Sequence, residues 1–201
     1  MTTFELLAIP SELTWHTLPK HWKVEQERNL AITAGEITDL FTDPRGNFSI
    51  NNAPKALFTP LSDNFVLGAS VTVDFQATFD AGILLLYEND ETWAKLCFEF
   101  SPQRQPMVVS VVNRGVCDDC NSTPIEGNQV YLRVARIAPT FAFHYSTDRQ
   151  FWHLVRYFGL GELHNLRIGF STQSPTGYGC TAVFSEIAYD AKSLKDLRNG
   201  Q

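Results

Sequence analysis

Hydrophobic and polar residues alternate along much of the chain with a period of two. Residues 70–77 place Val71, Val73, Phe75 and Ala77 on one side and polar residues on the other. Such alternation is typical of a β-strand with one buried face and one polar face. The same pattern recurs at residues 92–100, 130–134 and 141–145. Further strands are predicted at residues 29–33, 82–87, 107–113, 151–158, 166–171 and 180–189.

Short segments rich in turn-forming residues separate the predicted strands, for example residues 43–47, 88–90, 126–128, 146–149 and 174–177. No interval is long enough for a crossover helix, so the pattern favours an all-β sandwich of ~12 antiparallel strands over an α/β fold. Only residues 191–198 are predicted to form a turn or two of helix. We predict one domain over residues 1–201. The residues predicted between its two sheets include Val71, Phe75, Leu96, Phe98, Leu132, Val134 and Phe143.

Composition supports a folded protein and argues against several partners. Hydrophobic residues make up 44% and charged residues 19% of the 201 residues, which excludes a disordered chain or a coiled coil. The net charge of −6 argues against nucleic acid and anionic membrane surfaces as partners. Residues 1–10 contain Glu5 and no basic segment, unlike a signal peptide, and the longest apolar run is too short to span a bilayer. We therefore expect a cytoplasmic protein.

Four cysteines occur, at positions 97, 117, 120 and 180. Cys117 and Cys120 have the CxxC spacing of zinc and redox sites, but a second zinc-binding pair is missing and no helix is predicted to follow. The favoured interpretation is a loop with incidental cysteines; a labile disulfide and a metal site are the alternatives. We expect free thiols, with Cys117 and Cys120 close enough to pair only under oxidation. No metal and no cofactor are expected.

A series of short motifs extends over nearly the whole chain. In order they are Trp15…Pro19-x-x-Trp22, Leu30-x-Ile32, Thr38-Asp39-x-Phe41, Phe65, Phe79-Asp80-Ala81-Gly82, Trp93-x-Lys95, Glu99, Val111-x-Asn113, Tyr145-Ser146-x-Asp148, Trp152, Arg156, Gly169, Ser174-Pro175-x-Gly177 and Phe184. The series resembles a family of concanavalin A-like proteins of unknown function that includes the protein named for regulation of enolase. This resemblance implies a jelly-roll sandwich of the lectin/glucanase type, whose concave sheet often holds carbohydrate in related families.

Two segments depart from the family pattern. The usual Asp-Gly turn after Tyr145-Ser146 is here Asp148-Arg149, which disfavours a left-handed turn. Residues 111–120 contain cysteines where family members often have an Asp-Trp pair.

The strand predicted at residues 92–100 has two different faces. The face predicted to enter the core carries Ala94, Leu96, Phe98 and Phe100. The opposite face carries Trp93, Lys95, Cys97 and Glu99, ~7 Å apart in succession. A tryptophan ring can stack on the apolar face of a sugar, while a lysine and a carboxylate can hydrogen-bond its hydroxyl groups. The alternative is an ordinary exposed face with a weak surface ion pair.

Four other residues complete the predicted binding site, and three of them have a structural alternative. Arg133 and His144 would share the face of Trp93 if their strands belong to the same sheet; otherwise Arg133 pairs with an acidic residue and His144 is structural. Asp80, Asn113 and His144 are predicted at the rim, and for Asp80 the family position suggests this placement. Asp80, like Asp39, could instead serve its own turn or cap.

The sequence contains no motif that indicates catalysis. A β-glucanase of this fold needs carboxylates at alternating positions of one strand, whereas residues 92–100 offer Glu99 alone. A pair of Glu99 with Asp74 or Asp80 is the remaining alternative. The five histidines lack metal-ligand spacing, and Arg45 argues against calcium in residues 43–47.

We therefore predict a non-catalytic module that binds a carbohydrate or similar polyhydroxylated ligand. The alternatives are a protein-interaction regulator of a metabolic enzyme and, less favoured, a glycoside hydrolase. Trp15 and Trp22 either close the edge of the sandwich, which is the favoured interpretation, or form a patch for a protein partner.

Overall fold

The computed structural model describes residues 2–192 and 194–201, and within them the chain is all β. The strands are β1 (Thr3–Phe4), β2 (Leu13–Thr17), β3 (His21–Glu25), β4 (Asn29–Ala34), β5 (Leu40–Thr42), β6 (Ser49–Asn51), β7 (Lys55–Phe58), β8 (Phe65–Asp74), β9 (Ala81–Asn89), β10 (Thr92–Phe100), β11 (Pro106–Arg114), β12 (Cys117–Pro124), β13 (Gln129–Ile137), β14 (Thr140–Ser146), β15 (His153–Gly159), β16 (Arg167–Gln173) and β17 (Cys180–Asp190).

Two antiparallel sheets form the sandwich that the alternation predicts. The eight-stranded sheet has the order β1-β2-β7-β16-β9-β10-β11-β12, and the seven-stranded sheet has the order β15-β14-β13-β8-β17-β4-β3. The separate hairpin β5-β6 turns at residues 43–47, where the carboxylate of Asp43 accepts the backbone N–H of Asn47. This segment is therefore a turn with its own internal bonds.

The core lies between the two large sheets. The predicted core residues are buried there, with Phe75 partly buried at the margin: Val71, Leu96, Phe98, Leu132, Val134 and Phe143. The sheets approach closely at Gly82, because a Cβ there would lie 2.6 Å from Val71 Cγ1 and 2.9 Å from the Ala182 Cβ. The alternation within β10 is confirmed, since Ala94, Leu96 and Phe98 enter this core.

Aromatic side chains close one edge of the sandwich. Trp15 on β2 and Trp22 on β3 belong to different sheets, and their ring centroids lie 5.7 Å apart. The Phe4 ring contacts both, at 5.4 Å from Trp15 and 4.8 Å from Trp22. The prediction that the two tryptophans close the edge is confirmed.

The segment predicted as a cysteine-containing loop is a strand. β12 pairs with β11, with Cys117 opposite Asn113, so Cys117 is buried while Cys120 is exposed. Residues three apart on a strand point to opposite faces and lie ~10 Å apart, which exceeds the reach of a disulfide. The expectation that Cys117 and Cys120 are close enough to pair was therefore wrong.

Two smaller expectations also fail. Residues 191–198 form bends and turns rather than a helix wherever they are described, with Ser193 outside the described residues. Arg149 does adopt a left-handed conformation, at φ 62°, in spite of its side chain. The Asp148 carboxylate accepts the backbone N–H groups of Gln150 and Phe151, and these bonds hold the turn. Across residues 2–192 and 194–201, no helix has the length and apolar character needed to cross a bilayer.

Candidate functional site

The β5-β6 hairpin and its flanking residues cover part of the outer face of the eight-stranded sheet. Leu40 belongs to an apolar cluster on this face with Trp93, Cys97 and Cys117. Trp93 retains only 1% of its surface exposed, so its ring has no free face for a sugar. The role predicted for Trp93 as a stacking platform was wrong, because the alternating pattern of β10 did not reveal the hairpin that packs on this side.

A cavity of about 320 Å³ remains beside this cluster, between the hairpin and the ends of the central strands. Its polar lining consists of Asp39, Lys95, Glu99, Asp119, Gln173 and Thr176. Its apolar lining consists of Phe41, Phe48, Ile50, Phe79, Val111 and Pro175. Binding sites for small molecules have this size and this mixture of apolar walls with a few polar groups. The cavity is the candidate functional site.

Strand register places the charged residues on the same side of the sheet. Lys95 pairs with Val111, which in turn pairs with Asp119 across β10, β11 and β12. Directly paired residues of antiparallel strands point to the same face, so Lys95 and Asp119 both face the cavity.

Strand register also relates Glu99 and Gln173, which lie on either side of β9. Ala81 on β9 pairs with Glu99 on one side and with Gln173 on the other. The small methyl group of Ala81 therefore separates two long polar side chains, which leaves space between them above the sheet.

Lys95 is a buried cation with two partners. Its side chain is 2% exposed, and its Nζ donates to Gln173 Oε1 at 2.9 Å and to Asp39 Oδ1 at 3.5 Å. Burial alone lowers the pKa of Lys95, but the carboxylate of Asp39 and other acidic groups raise it overall. Lys95 therefore stays charged, and it pairs with Asp39 rather than with Glu99, the partner considered on the sequence.

Glu99 is a buried acid that has no hydrogen-bond partner among the described residues. It is 6% exposed, and its carboxyl group forms no hydrogen bond or ion pair among the described residues. Burial raises the pKa of Glu99 to about 8; Asp119 and Asp39 add to this, while Lys95 opposes it. At neutral pH the group is mainly a neutral acid that can both donate and accept a hydrogen bond.

Asp80 stabilises a turn beside the cavity and does not line the cavity rim. Its carboxylate accepts the backbone N–H groups of Gln76 and Ala77, both at 2.8 Å, and the hydroxyl of Ser174 at 2.6 Å. Asp80 is fully buried. It therefore ties together the two segments that carry Phe79 and Pro175 in the cavity wall, and the prediction that it binds ligand was wrong.

The side chain of Asn113 likewise forms its hydrogen bonds within the protein. It is fully buried, its Nδ2 donates to the Glu91 carbonyl at 2.8 Å, and its Oδ1 accepts from Cys117 Sγ at 3.4 Å. Asn113 anchors the turn between β9 and β10 and does not line the cavity.

Arg133 and His144 lie on the other sheet, so they cannot join Lys95 and Glu99. Arg133 Nη2 donates to the Gly200 carbonyl at 2.9 Å, and its guanidinium lies 4.1 Å from the centroid of Trp152. His144 Nε2 donates to the Leu197 carbonyl at 2.7 Å. These two side chains hold the C-terminal segment against the outer face of the seven-stranded sheet, which corrects their assignment to the ligand site.

The sequence did not single out several cavity residues as ligand-binding. Phe48 and Phe79 line the cavity, and 50% and 36% of their surfaces are exposed. Phe48 stands alone as an aromatic residue in the polar segment before β6, and this was the one sequence feature that could have marked it as a ligand-binding residue. Asp119 was overlooked because its segment was interpreted as a loop, and Gln173 because it comes at the end of its strand. Asp39 lines the cavity and also accepts the Leu40 backbone N–H at 2.7 Å.

A larger and more open cleft, of about 790 Å³, lies near the β7–β8 connection. Two of its charged side chains, Arg136 and Glu88, already have partners. Arg136 Nη1 lies 3.0 Å from Asp63, and the carboxylate of Glu88 accepts the backbone N–H groups of His164 and Asn165. This cleft therefore offers few free polar groups to a ligand. In the described part of the chain, no three His, Cys, Asp or Glu side chains are grouped to hold a metal ion.

One protein-family model matches most of the chain. The family described as "Protein of unknown function (DUF1349)" matches residues 15–192. The chain belongs to this family. No curated protein matches the sequence. The DUF1349 match agrees with the expected family of unknown function.

Solved structures similar to this DUF1349 member show the same fold. A functionally unknown protein from Saccharomyces cerevisiae has a TM-score of 0.82 at 22% identity, with 90% of this chain and 97% of that chain covered. The GH43 protein BlXynB from Bacillus licheniformis has a TM-score of 0.69 at 18% identity, with 86% and 35% covered. Xylan β-1,4-xylosidase from Bacillus halodurans has a TM-score of 0.63 at 14% identity, with 80% and 32% covered. The chain thus spans about a third of each glycoside hydrolase, and the concanavalin A-like sandwich is confirmed.

Proposed function

We propose that the cavity binds a carbohydrate or a similar polyhydroxylated ligand without chemical conversion. The observation that carries the proposal is the side chain of Glu99, which is buried, has no protein partner and opens into a cavity with aromatic walls. The carboxyl oxygens of Glu99 are accessible from the cavity, where a ligand hydroxyl could form the hydrogen bonds that the described protein groups do not.

The phenylalanines of the cavity, rather than Trp93, would provide the aromatic surface on which a sugar ring stacks. Phe48 and Phe79 combine a partly exposed ring with a place in the cavity wall, and Phe41 packs 6.1 Å from Phe48. A ring face of this kind supports the apolar side of a sugar. The hairpin that buries Trp93 therefore also provides the aromatic surface.

Lys95 and Glu99, the buried polar residues that form the floor of the cavity, would orient the ligand. Lys95 has three donor protons and two protein partners, so one proton remains for a ligand oxygen. The acid of Glu99 can donate as well as accept. A single site of this size should bind weakly, with a Kd in the millimolar to micromolar range.

Two alternatives fit the cavity less well. Hydrolysis of a glycoside needs a carboxylate pair flanking the bond. Asp39 already accepts from Lys95 and from a backbone N–H, and Asp119 is exposed on β12 in register with Lys95, four residues along β10 from Glu99. The resemblance to the regulation-of-enolase protein suggests a protein partner, but a cavity with a buried floor suits a small molecule better. We further propose that the protein acts in the cytoplasm, without nucleic acid or membrane as a partner.

Calorimetric titration with D-glucose, D-xylose and xylobiose tests the proposal, with Phe48→Ala as the cavity variant and Phe151→Ala as its control. Phe151 is also exposed, at 65%, but does not line the cavity. We expect saturable binding of at least one sugar that weakens about fivefold in Phe48→Ala and not in Phe151→Ala. Absence of binding, or equal loss in both variants, would overturn the proposal.

A further inference from the structure

The cavity contains more acidic groups than its one cation can neutralise. Asp39, Glu99 and Asp119 all line it, and Lys95 is its only basic residue among those described. Lys95 lies within ion-pair distance of Asp39 and of neither other acid. From this arrangement we infer that the polyhydroxylated ligand carries a protonated amine, as an amino sugar does. The inference rests on the proposed function.

The two remaining acids differ in burial, and neither has a cationic partner among the described residues. Glu99 is more than nine-tenths buried and faces the cavity without a hydrogen bond from the described residues. Asp119 lies on the edge strand β12 and has no ion pair among those residues, since Arg156 contacts the adjacent Asp118 at 3.4 Å. An ammonium group in this cavity would form charge-assisted hydrogen bonds with either acid, and such bonds are stronger than neutral ones.

The apolar walls also favour a cation. Phe41, Phe48 and Phe79 line the same cavity as the acids. The face of an aromatic ring attracts an ammonium group, most strongly where water is excluded. A ligand carboxylate would add a negative charge to a cavity whose one cation, Lys95, already pairs with Asp39.

Binding of an amine should change the ionisation of Glu99. The titratable groups around it are Lys95 and Cys97 on its own strand, Asp119 on β12 and Asp39 before β5. Burial raises the pKa of Glu99 to about 8, so the free protein keeps it protonated at neutral pH. A ligand ammonium lowers that pKa again, and Glu99 then releases its proton to the solvent.

Calorimetry with D-glucosamine, D-glucose and D-glucuronate tests the inference, because the three sugars share one ring and differ in charge. We expect glucosamine to bind about tenfold more tightly than glucose, and glucuronate more weakly than both. Titration at slightly acid pH, where the sugar amine is protonated, in two buffers of different ionisation enthalpy should show net proton release for glucosamine and none for glucose.

The variants separate this inference from the proposed function. Glu99→Gln keeps the shape of the neutral acid but cannot ionise, so the ratio of the glucosamine and glucose affinities should fall to near one and the proton release should disappear, whatever the change in glucose affinity itself. Asp119→Asn should reduce the preference if Glu99→Gln does not fold. Asp118→Asn, adjacent but paired with Arg156, is the control and should change neither.

The outcomes are distinct. Equal binding of glucose and glucosamine, or a preference for glucuronate, would overturn the amine inference and leave the proposed function standing. Absence of binding by all three sugars and by the xylose series would overturn both.

Discussion

The ammonium nitrogen of Lys95 lies 2.9 Å from Oε1 of Gln173, a residue 78 positions later in the chain. Lys95 belongs to β10 and Gln173 ends β16, and β9 lies between these two strands. Gln173 Nε2 in turn donates to the Phe79 carbonyl at 3.2 Å. This pair therefore links the floor of the cavity to the segment that carries one of its aromatic walls.

Replacing Lys95 by methionine should destabilise the protein by ~2 kcal/mol. The substitution keeps much of the side-chain volume, but it leaves Gln173 and Asp39 without their charged donor. Urea unfolding measures the effect. Lys23→Met, which removes an exposed ion pair with Glu25, is the control and should cost less than ~0.5 kcal/mol. Equal effects of the two substitutions would contradict the role given to Lys95.

The ionisation of Glu99 should make stability depend on pH. Its pKa is raised from 4.5 to about 8 in the folded protein, so between these values the folded state holds a proton that the unfolded state has lost. The free energy of unfolding should therefore fall as pH rises through this range, by at most ~1.4 kcal/mol per pH unit, and level off above it.

Comparison of urea unfolding for the wild type and Glu99→Gln isolates this contribution. The variant cannot ionise at this position, so the difference between the two proteins should follow the stated pH range. A difference that is constant from pH 4.5 to 8 would show that Glu99 is not a protonated acid in the folded state.

The alternation of β10 predicted its two faces correctly, because strand geometry fixes which residues point together. It could not predict that Trp93 is covered, since a β5-β6 hairpin more than 40 residues earlier provides the cover. The same limit explains Arg133 and His144. Their strands alternate in the same way as β10, and only the pairing order places them in the other sheet.

Thiol reactivity should distinguish Cys120 from the other cysteines. Cys97, Cys117 and Cys180 are buried, and burial raises the pKa of Cys117 to about 11. A thiol reagent should therefore label one cysteine rapidly in the folded protein and the rest only after unfolding. Rapid labelling of two or more cysteines, or a disulfide between Cys117 and Cys120, would contradict the placement of β12.

Acid should weaken the attachment of the C-terminal segment. Burial, followed by the charge of Arg133, lowers the pKa of His144 to about 4, whereas the unfolded chain has a value near 6.5. The unfolded state thus binds a proton more readily, and stability should fall as pH decreases from about 6.5 to about 4. His144→Gln, which keeps a donor for the Leu197 carbonyl, should flatten this dependence in urea unfolding. An unchanged pH profile in that variant would exclude His144 as the cause.

Local motifs were informative where one segment makes its own contacts. The Ser-Pro-x-Gly motif is explained by Ser174, which donates to Asp80, and by Gly177, where a Cβ would lie 2.6 Å from Ser174 Oγ. The cavity, in contrast, is assembled from the β5-β6 hairpin, β10, β12 and the end of β16. Residues that meet only through such long-range packing carry no shared signal along the sequence.

The most direct test of the proposed function is to locate a bound sugar by ¹H–¹⁵N NMR during titration with glucose and glucosamine. Saturable shift changes should concentrate at the amides of Phe48, Phe79 and Lys95, which surround the cavity. The amides of Arg133 and His144 on the other sheet should stay unchanged. Shift changes centred on that other sheet, or none at sugar concentrations well above millimolar, would contradict the assignment of the cavity as the binding site.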